Sequence, residues 1–231
     1  MFTSDFRRKV CIHEAGHAVI HALGGEAIRG LAVAPVGCES WTFSTDIGVV
    51  VRDLFGICEL DYSGLSTMYL EWDDDQLRYR ANRKEFNNVH RSLLALLGAS
   101  RGKKALANMR RLVRLRVCGA LAGPIAEAHF ENNEFDVWEV EGWREPTSDV
   151  ELAEGLSQLL PFRREFEHAC DVTSETLKRP KVWSSVLALA DILERRGRLG
   201  EKEIAEYLPK ADVNWPPSAA AMWRGYSAIA Q

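Results

Sequence analysis

The stretch SDFRRKVCIHEAGHAVIHALGG at residues 4–25 decides how this chain reads. Ile12, Ala15, Val19 and Leu23 recur at helical spacing and Gly24 with Gly25 supplies a stop, so the pattern predicts one helix from Ser4 to Leu23 with that stripe buried. Within it, His13, Glu14, Ala15, Gly16 and His17 spell H-E-x-x-H, a pattern whose chemistry requires a helix. His13 and His17 stand one turn apart and some 40° apart around the axis, close enough to grip one metal ion. The buried stripe lies opposite, which leaves the histidine face to line a cleft.

Glu14 projects beside that face, where a carboxylate can take a proton from metal-bound water and hand it to a leaving amine. Zinc suits such a site, because two imidazoles and a carboxylate leave a fourth position for water, whose pKa zinc lowers to about 7. The chemistry implied is amide hydrolysis. His21 shares the face, but at about 12 Å of rise from His13 it is too far to join the same ion. It is read as a residue behind a ligand or on the substrate side. The longer pattern that continues to a third histidine would place it at position 23, which is Leu23, so the third ligand lies elsewhere.

Composition narrows the class. The 231 residues are 46% hydrophobic and 27% charged, which excludes disordered, collagen-like and coiled-coil chains. A net charge of −4 gives no electrostatic footprint for nucleic acid, and none is expected as a partner. Arg101 to Arg116 is the basic exception. Leu106, Met109, Leu112, Val113, Leu115 and Val117 interleave there, which predicts a helix with one solvated basic face. Five cysteines without a C-x-x-C pair argue against a disulfide framework or a cysteine zinc knuckle. No apolar run is long enough for a membrane span, and His13, Glu14, His17 and His21 interrupt the N-terminal apolar stretch in a way foreign to a signal peptide. The expected compartment is the cytoplasm.

Along the rest of the chain, IRGLAVAP at 28–35 and DIGVVV at 46–51 read as two strands of a small sheet, while Asp53 to Glu71 shows no clear period. Asp73, Asp74 and Asp75 look like the acidic first turn of a helix to Leu97, and a second long helix is expected from Gly102 to about Phe130, kinked near Gly123 by Pro124. GASRGKK at 98–104 has too few residues between its glycines and lacks the Ser or Thr of a phosphate-binding loop, so no ATPase motor is expected. An acidic loop at 131–147 leads to Ser148 and Glu151, spaced as a capping box, with Leu152, Ala153, Leu156, Leu159 and Leu160 forming a buried stripe. Further helices are expected at about 162–178, 181–196 and 201–207, followed by an irregular tail that docks on the body or on a partner.

Taken in order, HEAGHAVIHAL at 13–23, IRGLAVAP at 28–35 with GVVV at 48–51, CGALAGPIAEAHF at 118–130, TSDVELAEGL at 147–156 and LADILERRGRLGEKEIAEYL at 189–208 resemble the peptidase domain of FtsH-type ATP-dependent zinc proteases. The resemblance implies a mainly α fold with a small β-sheet (α+β), in which a zincin-like helix precedes a short sheet and a C-terminal helical bundle. It implies a zinc peptidase-like domain over 1–208, with an insertion at about 52–100 and a tail at 209–231. It makes Asp149 the third zinc ligand beside His13 and His17, with Glu145, Glu151 and Glu154 as reserve carboxylates, and it sets Glu127 behind a ligand imidazole. The expected function is a zinc-dependent endopeptidase in which Glu14 assists the attack of water on unfolded or flexible polypeptides. It would act alone, as a homo-oligomer, or as a subunit fed by an ATPase unfoldase in trans, with the insertion covering the cleft or docking that partner. The alternatives are a catalytically inactive zinc-binding interaction protein and an H-E-x-x-H hydrolase with a glutamate ligand.

Overall fold

The computed structural model describes residues 2–45, 50–52, 54–61, 67–140 and 144–219. Its elements run α1 (Ser4–Leu23), β1 (Ile28–Val33), β2 (Thr42–Ser44), β3 (Val50–Arg52), β4 (Gly56–Leu60), β5 (Leu70–Asp73), β6 (Arg78–Ala81), α2 (Arg83–Phe130), α3 (Asp149–Ser157), α4 (Glu165–Leu177), α5 (Pro180–Arg196), β7 (Arg198–Gly200) and α6 (Glu201–Ile204). The fold is mainly helical with small antiparallel sheets, as the pattern predicts. Among the described residues no helix is long and apolar enough to cross a membrane. The chain divides into two compact units.

The first unit comprises Met1–Asp61, Ala122–Phe135 and Ser174–Val213. Its centre is α1, which begins where Thr3 accepts a hydrogen bond from the Phe6 N–H and ends at Gly24, with Gly25 at φ 87°. Burial corrects the one-sided expectation. Ile12, Ala15 and Val19 are fully buried, but so are Cys11, Ala18 and Ile20, and His17 and His21 are only 8% and 4% exposed. The helix packs on α5, β1 and β4, and at Gly16 a methyl group would stand 2.7 Å from the Ala122 carbonyl oxygen, so bare backbone admits α2 there. Small residues made a second packing face that hydrophobic periodicity does not register.

The sheet of this unit has the order β4-β1-β7, antiparallel throughout, with Leu31 opposite both Cys58 and Leu199. The expected first strand is present, shortened to Ile28–Val33. Of the expected second strand, residues 46–49 lie outside the described residues, and Val50–Arg52 pairs with Thr42–Ser44 in a separate ribbon rather than with β1. The partner of β1 is instead β4, drawn from the stretch that showed no period. Helix α5 starts with Pro180 at its first turn and stops at Gly197, φ 76°, whose N–H reaches the Leu193 carbonyl at 2.7 Å.

The second unit comprises Tyr62–Leu121, Asp136–Thr173 and Asn214–Gln231. Here the three aspartates open no helix. They form the turn of the β5–β6 hairpin, in which Asp73 Oδ1 accepts from the backbone N–H groups of Asp75 and Gln76, both at 3.0 Å, and Leu77 takes φ 48°. Aspartate serves turns and helix starts by the same side-chain-to-backbone hydrogen bond, so the triplet alone does not choose between them. The helix starts later, where Asn82 caps the Glu85 N–H at 3.0 Å. Two helices share the span of α2, parted at Gly98 (φ 73°, ψ 167°) as the expected end at Leu97 and restart after Gly102 require, but the second runs to Phe130 without the break expected near Pro124. Around Pro124 the residues Leu121, Ala122, Ile125 and Ala126 are buried, and that packing outweighs the backbone bond a proline removes.

The basic face is also corrected. Arg114 is buried, and its Nε and Nη2 donate to the two oxygens of Glu165, each at 2.9 Å. Of the expected tail, residues 220–231 lie outside the described residues, while those from 214 to 219 pack within this unit: Trp215 is buried, Arg111 donates to its carbonyl at 3.1 Å, and a His168 ring nitrogen lies 3.2 Å from the Pro217 carbonyl. Ser148 caps α3 through the Glu151 N–H at 3.4 Å, but the box does not close. The Ser148 N–H donates to the Glu145 carbonyl, and the buried Glu151 carboxylate lies 3.5 Å from Arg144 instead.

Candidate metal centre

His13 and His17 project from successive turns of α1 with ring centroids 4.6 Å apart and planes at 77°. Glu127, near the end of α2, holds the first ring: its Oε1 lies 2.7 Å from His13 Nδ1. A carboxylate facing Nδ1 makes that nitrogen the donor and leaves the lone pair on Nε2, the tautomer a metal requires. Lys9 closes this end of the site, its ammonium 2.8 Å from Glu131, and that hydrogen bond holds its pKa above the usual lysine value.

Both Nε2 atoms face Gly123. A methyl group there would overlap Nε2 of His13 and of His17 together, so the bare glycine leaves room where the two lone pairs converge. Sequence reasoning treated Gly123 as a kink beside Pro124. The signal available was a glycine in a buried helix, the one residue that lets backbone approach a functional group this closely.

Glu14 lies between the histidines in sequence and is 7% exposed. The start of β4 passes over it: a methyl group on Gly56 would stand 2.5 Å from Glu14 Oε1. Nothing in the sequence pointed to Gly56, because its strand lacks a readable period. Asp149 is the first residue of α3, half-buried, directly after the Ser148 cap. One ligand atom each from His13, His17 and Asp149 all lie within 4.8 Å of one another, and among the described residues no other such group could hold a metal ion. The reserve carboxylates Glu145, Glu151 and Glu154 are not members.

His21 sits apart from the group, buried, with its Nδ1 2.5 Å from Glu26 Oε2. Cys11, on the same helix, is fully buried and no member of the group, and burial pushes its thiol up to about 12. Two imidazoles and one carboxylate are the donor set of an open zinc site, and the bare face of Gly123 gives the ion room beside both rings. The residues therefore fit zinc. No protein-family model matches the chain, and no curated protein matches it in sequence.

Proposed function

We propose that this protein is a zinc-dependent endopeptidase of the FtsH-like kind. The observation that carries the reading is the convergence of His13 and His17 Nε2 on Gly123, with Glu14 alongside and Glu127 fixing the first imidazole. Zinc, when bound, supplies Lewis-acid polarisation of a carbonyl and water acidified to a pKa of about 7. The protein's own part is positional. His13, His17 and Asp149 hold the ion, Glu127 sets the tautomer, and Glu14 takes a proton from the attacking water and passes it to the departing amide nitrogen.

The sheet suggests how a substrate is held. Among the described residues β1 is hydrogen-bonded on both sides, whereas β4 ends the sheet, and its Gly56 lies against Glu14. An extended segment added to that edge would bring its backbone to the base. Folded domains cannot present such a segment, so denatured substrates are expected to be cut at least tenfold faster than the same proteins folded. Digestion of matched pairs without ATP measures this, and equal rates would remove the edge-strand account.

Metal content tests the core of the proposal. The purified protein is expected to hold about one zinc per chain, and His17→Ala to lose it. Asp149→Ala should weaken zinc binding by on the order of 100-fold, whereas loss of a mere helix-terminal acid would cost only about 0.3–1 kcal/mol of stability and leave zinc in place. Elemental analysis with a chelator competition separates the two. Full zinc in a folded Asp149→Ala protein would move the third ligand to a glutamate.

A further inference from the structure

Asp149 stands at a vulnerable place. It is the first residue of a nine-residue helix that follows a long loop, and helix ends fray unless something outside the helix fixes them. The β5–β6 hairpin does this, gripping α3 at both ends. Ahead of the helix, the Tyr79 hydroxyl donates to the Pro146 carbonyl at 2.6 Å, three residues before Asp149. Behind it, Gln158 bonds the edge of β6 as a neighbouring strand would: its Nε2 donates to the Tyr79 carbonyl at 3.2 Å and its Oε1 accepts the Ala81 N–H at 3.3 Å. Arg83, just past the hairpin, donates to the Gln158 carbonyl.

Between these grips the helix is bare. A methyl group on Gly155 would stand 2.5 Å from Tyr79 Cβ, so the strand lies directly on the helix. Tyr79 is itself steadied by Trp72, its cross-strand partner, in an edge-on contact with centroids 5.1 Å apart. The hairpin thus fixes both the axial position of α3 and the path of the chain entering it. None of the three bonds made by Tyr79 and Ala81 serves the hairpin's own ladder, since all join the hairpin to the segment that carries Asp149.

We infer that the β5–β6 hairpin is a positioning device for the metal site, with Tyr79 and Gln158 as positioning residues that act through Asp149. The inference rests on the reading of Asp149 as a zinc ligand. It gives the segment at 70–81 a task in the chemistry, where the sequence suggested only a cover or a docking surface.

A double-mutant cycle tests it. Tyr79→Phe and Gln158→Leu, each cutting one grip, are expected to weaken Zn2+ binding about tenfold in chelator competition and to reduce the visible absorption of the Co2+-loaded protein, the signature of a tetrahedral site. Arg80→Ala, an exposed change in the same hairpin, should leave both readings unaltered. In an Asp149→Ala background, where the two imidazoles still bind more weakly, Tyr79→Phe should have no further effect. Wild-type affinity in both grip variants, or a loss that persists undiminished without Asp149, would overturn the positioning role. Asp149→Ala with wild-type zinc affinity would instead overturn the ligand reading beneath it, so the two failures are told apart.

Discussion

Glu14→Gln is expected to abolish peptide hydrolysis while the protein keeps its zinc. The substitution replaces one oxygen by an amide nitrogen of the same size at a side chain that is 7% exposed and pressed by Gly56, so neither packing nor the histidine pair has reason to move. What disappears is the acceptor for the proton of the attacking water, a contribution on the order of 10²–10⁴-fold in rate. Turnover of a fluorogenic denatured substrate, measured beside metal content, gives the answer. Activity surviving at the wild-type level would sink the mechanism. A wild-type protein that binds zinc and cuts nothing would favour the inactive interaction protein.

Gly123→Ala should remove the metal altogether, although it touches no ligand chemically. The added methyl group would occupy the space that both Nε2 atoms face, so the rings must part or the helices must separate. Zinc affinity is expected to fall by more than about 100-fold, comparable with the loss of a ligand. Stability should respond far less. Alanine improves a helix interior by about 0.5–1 kcal/mol over glycine, which offsets part of an overpacking cost of about 1–3 kcal/mol. Thermal unfolding of the metal-free protein beside a zinc titration distinguishes this from general damage, and a Gly123→Ala protein with full zinc would show that the rings can yield.

The parts of the fold legible in advance were those whose signal is local. Helix α1, its glycine stop and the histidine spacing all lie within 22 consecutive residues, 4–25. The parts that were not legible depend on partners distant in the chain. The Asp73 turn and a helix start use one hydrogen-bonding habit of aspartate, and the distant partner of the hairpin is α3, whose Gly155 lies against Tyr79. Pro124 stays helical because buried neighbours hold it, and Arg114 leaves the solvated face because Glu165 waits 51 residues away. At the site, the two histidines were readable from spacing and Asp149 was expected only from the family resemblance, whereas Gly56 lay in a strand with no readable period.

The buried Arg114–Glu165 pair carries a consequence for how this sequence can drift. Losing one partner strands a charge out of water at a cost of about 3–5 kcal/mol, a large share of the roughly 5–15 kcal/mol that a domain has in total. Replacing both by apolar residues of similar volume can be neutral or even favourable. Positions 114 and 165 are therefore linked in descent: each tolerates change only in step with the other, and any relative that has lost the arginine should have lost the glutamate too.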